Sequence, residues 1–147
     1  MLNLLKKQLK NEKGLTLIEL LVVVVILGII AAIAVVSVGG ILDNSKKDAH
    51  VANAQQMVNV AKMYASSTAL KDGDTDLKLT EMYSKDLLDT MIDPDTKAKY
   101  TAEDTSLVKI TKAGSKYTYT VTLIGRDKKI TAIAPEELDR DDVSEVE

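Results

Sequence analysis

From Leu15 to Ser37 the chain keeps a 23-residue apolar run whose one ionisable side chain is Glu19. At about 1.5 Å per residue such a run reaches roughly 34 Å as a helix, enough for a hydrocarbon core of about 30 Å. A single span must pair its backbone internally, so helix is the conformation predicted for it despite many Val and Ile residues. Beyond the run, Ala54, Met57, Val58, Ala61, Tyr64 and Ala65 recur at spacings of three and four, with Asn53, Gln55, Gln56, Asn59 and Lys62 on the opposite face. Pro94 and Pro135 both lie outside this region, so one long helix over 15–69 is predicted, with Gly39-Gly40 its weakest point.

After Leu70 the periodicity changes. Lys71-Asp72-Gly73-Asp74 signals a turn, and Thr80 to Ile92 suggests a short helix capped by Thr80 and stopped by Asp93-Pro94. Three strands are predicted at Leu107–Lys112, Tyr117–Ile124 and Lys129–Ala134, joined as an antiparallel meander. In the middle strand Tyr117, Tyr119, Val121 and Leu123 alternate with three threonines, which gives it a buried and a wet face. A 65-residue head over 70–134 has a thin core, and the apolar stripe before it lacks a cover. The two are predicted to pack together as one α+β unit, the small sheet wrapping the outer half of the helix.

Charge adds an orientation. Residues 1–14 carry a net +3 from Lys6, Lys7, Lys10 and Lys13 against Glu12, and the remainder sums to −6. The basic end is expected on the cytoplasmic side of a single-pass span. The acidity of the rest disfavours nucleic-acid binding. Residues 135–147 are the most acidic and are predicted to form a solvated, flexible tail. With no cysteine, disulfide frameworks and thiolate chemistry are excluded.

Gly14-Leu15-Thr16-Leu17-Ile18-Glu19-Leu20, preceded by lysines and followed by the apolar run with Gly28 and Ala31-Ala32-Ile33-Ala34, resembles the prepilin signal of type IV pilins and of pseudopilins from type II secretion and competence systems. The resemblance implies a pilin-like fold and removal of a leader, residues 1–14, by a prepilin peptidase that cuts between Gly14 and Leu15 and methylates the new amine of Leu15. It implies that residues 15–37 serve first as a membrane anchor and then as the core of a helical homo-oligomeric filament at the cell surface. An assembly ATPase and a platform protein would drive that change.

Glu19 becomes the fifth mature residue, one helical turn from the amine of Leu15 or beside a neighbour's amine. Pairing with a neighbour would fix register, because a misplaced subunit leaves two unpaired charges. Leu15 stands where the family usually has Phe. Val36 stands where many members have Pro, and the C-terminal disulfide loop of many Gram-negative pilins cannot form here.

Other readings of the same residues stand beside this one. The run can be an ordinary anchor carrying a monomeric extracytoplasmic binding module, or a secretory signal with Ala32-Ile33-Ala34 as its cleavage site. Within the filament reading, a type IV pilus-like fibre and a pseudopilus for secretion or DNA uptake are both open. No cofactor is expected. Asp72-Gly73-Asp74-Thr75-Asp76 has the alternating acids of a calcium loop but lacks its glycine at Leu77 and its final carboxylate at Tyr83; Asp93, Asp95, Glu103 and Asp104 form a second acidic group. His50 is the single histidine, expected to pack or hydrogen-bond, and enzymatic activity is not expected.

Overall fold

The computed structural model describes residues 16–147. The expected leader and Leu15 lie outside the described residues. The chain divides into two compact units, Met1–Ile41 and Leu42–Glu147. Helix α1, Leu17–Ser67, contributes to both and is continuous through Gly39 and Gly40, the point expected to be its weakest.

In the first unit the large apolar side chains of α1 from Leu17 to Ile41 are all exposed. Uncovered apolar surface of this extent calls for lipid or a partner. Among the described residues α1 is the one helix long and apolar enough to cross a membrane.

In the second unit the predicted stripe is inside: Ala54, Met57, Val58, Ala61 and Ala65 are buried and Tyr64 is partly so. They share one core with Leu77, Leu79, Met82, Val108, Ile110, Val121, Leu123 and Ile130. The sheet thus covers the outer part of α1, as its amphipathic pattern requires.

The sheet has five antiparallel strands in the order β1 to β5, not three. β2 (Leu107–Ala113), β3 (Lys116–Ile124) and β4 (Lys128–Ile133) are the predicted meander. β1, Gly73–Lys78, takes up the second half of the expected turn and puts Asp76 opposite Lys109 and Leu77 opposite Val108. Its acids face outward, and Leu77 is buried. The apparent calcium loop is therefore an edge strand: Lys109 Nζ lies 3.0 Å from Asp76 Oδ1, and Thr111 Oγ1 donates to Asp74 Oδ1 at 2.7 Å.

Two further expectations are corrected. The helix predicted over 80–92 is only Leu79–Ser84, α2. Asp86 takes a left-handed φ of 52°, which ends it well before Pro94. Thr80 is not its cap; the hydroxyl instead donates to Asp104 Oδ1 at 2.8 Å. The segment expected to be a flexible tail folds back onto the head. Arg140–Asp142 makes a 3-10 turn capped by Asp139, Val143 is buried, and β5 (Ser144–Glu145) pairs with β4. Arg140 reaches Asp48 on α1 with two hydrogen bonds, of 2.7 and 2.6 Å. One buried valine and one bidentate guanidinium contact offset the repulsion that composition alone emphasises.

Candidate processing and assembly site

At the start of α1, Thr16 and Glu19 close a reciprocal cap. The Thr16 amide donates to Glu19 Oε2 at 2.7 Å and its hydroxyl donates to the same oxygen at 2.9 Å, while the Glu19 amide lies 3.3 Å from the Thr16 hydroxyl. Thr-Leu-Ile-Glu is the Thr-x-x-Glu capping pattern, in which side chains satisfy backbone donors that have no helical partner. The Thr-x-x-Glu spacing signals this cap in the sequence itself, so Glu19 has a helix-capping partner besides the amine expected for it. The cap engages Oε2; among the described residues no hydrogen bond falls on Oε1. Gly14 and Leu15, the expected cleavage pair, lie outside the described residues. Val22 and Val23, one turn beyond Glu19, are exposed, so the carboxylate stands on an otherwise apolar surface.

Residues 9–35 match the prokaryotic N-terminal methylation motif. This segment carries the type IV pilin and pseudopilin signature. The match ends within the apolar run, and no curated protein or solved structure matches the chain. In this pilin-like chain the long N-terminal helix followed by an antiparallel sheet is the α+β arrangement that the resemblance implies.

The head of the pilin-like chain holds a second constellation, which no local motif announces. His50 on α1 is buried, and its Nε2 lies 2.9 Å from Asp95 Oδ2 and 3.8 Å from Asp93 Oδ1. These three ligand-type atoms fall within 4.8 Å of one another, a spacing a metal ion could bridge. Ammonium groups hold the ground beside them. Lys46 Nζ is 3.2 Å and Lys128 Nζ 3.4 Å from Asp95 Oδ1, and Lys128 also meets Asp43 at 3.0 Å.

The remaining capacity is used by backbone. Asp93 accepts from the Asp95 amide at 2.9 Å and from the Arg126 amide at 3.0 Å. Asn53 donates to the Tyr100 hydroxyl at 3.0 Å, that hydroxyl lies 2.9 Å from His50 Nδ1, and Nε2 faces Asp95. Burial pushes the Asp95 carboxyl up, but His50, Lys46 and Lys128 outweigh it and hold it below the usual carboxylate value. Burial likewise pushes Lys128 down and its carboxylates overcome that, so its ammonium form is favoured.

The structure separates the second acidic group predicted from sequence. Asp93 and Asp95 join His50, whereas Glu103 pairs with Lys99 and Asp104 accepts from Thr80. The chemistry of the His50 cluster is that of an ion-paired, hydrogen-bonded clasp between α1, the loop at Asp93 and the β3–β4 turn.

Proposed function

We propose that this chain is a structural subunit of a type IV pilus-like filament, cut between Gly14 and Leu15 and N-methylated on Leu15 by a prepilin peptidase. The observation that carries the reading is the methylation motif over residues 9–35 at the head of a helix whose apolar side chains from Leu17 to Ile41 are uncovered. Before assembly the helix spans the membrane, the lysines before Gly14 facing the cytoplasm. In the filament neighbouring helices replace lipid around Leu17 to Ile41. An assembly ATPase and a membrane platform protein supply the work of extraction. The motif is common to pilins and pseudopilins, so the same subunit chemistry serves a surface fibre or a shorter pseudopilus of a secretion or DNA-uptake machine.

The role is non-catalytic in this reading. His50, the single histidine, has both ring nitrogens engaged inside the head. Intact-mass and N-terminal analysis of the membrane pool tests the proposal: the expected product begins with N-methyl-Leu15. A chain that retains Met1, or one that begins at Val35, would replace it with a plain anchor or a secreted product.

A further inference from the structure

Over residues 49–69 the chain carries one charged side chain, Lys62, although residues 42–147 as a whole hold 15 Lys and Arg and 20 Asp and Glu. The sheet covers this part of α1 on one side. Its other side faces out: Ser45, Ala52, Gln56, Asn59, Met63 and Ser66 are exposed, and Ala49 is partly so. These seven positions alternate spacings of four and three across three heptads, which is the seam of a coiled helix pair. Asp48 and Lys62 flank the seam and do not lie in it, and Asp48 is tied to Arg140.

A helix face that meets only water is ordinarily laced with charge. This one has none at any seam position, and depletion of charge marks the centre of a protein interface. Met63, 71% exposed, puts an adaptable apolar side chain in the middle of it. Asn53 nearby spends its amide on Ile92 O and the Tyr100 hydroxyl, whereas among the described residues no hydrogen bond engages the amides of Gln56 or Asn59.

Charge also selects the occupant. When a surface meets its own copy, each charge on it is brought toward its image, and like charges in contact are costly. The seam brings no such pair together, in a head whose acids outnumber its cations. An amide both donates and accepts, so Gln56 and Asn59 of one copy can satisfy those of another. Direction follows from the apolar run: with Leu17–Ile41 in one bilayer, two α1 helices leave it parallel.

We propose that α1 from Ser45 to Ser66 pairs with the same stretch of a second copy while both chains are in the membrane, a parallel two-fold contact made before any filament forms. This rests on the membrane-span part of the reading above and not on filament assembly.

The chain has no cysteine, so single cysteines introduced into the full-length chain report the contact. Gln56→Cys and Met63→Cys each face their own image in a parallel pair. Mild oxidation of isolated membranes should give a disulfide-linked dimer at least about tenfold above that of Thr118→Cys, an exposed site on β3. Adding Asn59→Lys to Met63→Cys sets a charge against its image and should lower that dimer by about fivefold or more, whereas Asn59→Gln should retain it. Equal dimer from seam and control positions, a Met63→Cys dimer indifferent to Asn59→Lys, or cross-links found in sheared filaments and not in membranes overturns the proposal. A wild-type chain recovered outside the membrane fraction removes the span reading itself, before any cross-link is scored.

Discussion

His50 and Asp95, 45 residues apart in the chain, meet at 2.9 Å inside the head, and the hydroxyl of Tyr100 holds the other ring nitrogen. Removing one partner leaves buried polar atoms unsatisfied, which costs more than the bond itself contributes. Asp95→Asn or His50→Ala should lower head stability by roughly 2 kcal/mol in urea unfolding, with Asp95→Asn leaving Lys46 and Lys128 short of a counter-charge.

The same carboxylate gives the head an acid dependence of defined sign. Asp95 is held below its unfolded value, so its contribution is complete above that value, about 3.9, and is lost as pH falls through the folded one. Stability followed by near-ultraviolet circular dichroism should be level from pH 7 to about 5 and decline below about 4, with a shallower decline in Asp95→Asn.

Gly125 closes the β3–β4 turn against this cluster. A Cβ built there would stand 3.0 Å from Asp93 Oδ2, from His50 Cε1 and from Lys128 O, and the glycine amide already donates to that carbonyl at 2.9 Å. Gly125→Ala should cost about 1–3 kcal/mol by overpacking, measured as a lower urea midpoint at unchanged slope. Ala132 is the opposite case. It sits in the irregular stretch of the β3–β4 pairing at φ 53°, so Ala132→Gly should raise stability by about 0.5–1 kcal/mol.

The cap that Glu19 makes and the assembly role proposed for it can be separated because the cap and the charge respond to different substitutions. Glu19→Gln keeps an N3 partner for Thr16 but cannot neutralise an amine; Thr16→Ala loses the hydroxyl and keeps the charge. If charge pairing governs assembly, Glu19→Gln and Glu19→Ala should both reduce filament yield by more than tenfold with cleavage near normal, while Thr16→Ala should retain most of it. The reverse ranking, scored by filament recovery per processed subunit, would make helix initiation the function of this carboxylate.

Much of the fold is legible because burial obeys period. The stripe from Ala54 to Ala65 is buried as its spacing predicts, and β2, β3 and β4 fall within one residue of the predicted bounds. β1 is hidden since Asp74 and Asp76 imitate a turn until Lys109 and Thr111 lie opposite. The end of α2 depends on one left-handed residue, Asp86, and the ordering of residues 140–145 depends on Asp48, 92 positions before Arg140. The His50 clasp is equally non-local: its members come from α1, from the turn at Asp93-Pro94-Asp95 and from Lys128 at the start of β4. No window of the sequence contains such a site. By contrast, the Thr16–Glu19 cap is local and is legible in the sequence.

The arrangement of the core also imposes an order in time. Ala54 to Ala65 precede every strand that covers them, and Ile130 and Val143 are among the last pieces of that cover. During synthesis the stripe therefore emerges naked and waits, as much an aggregation hazard as a folding template, for roughly 75 further residues. A chain stalled before β4 would present two unmet apolar surfaces at once, the N-terminal apolar run and the bare stripe, and would be a natural target for proteolytic clearance.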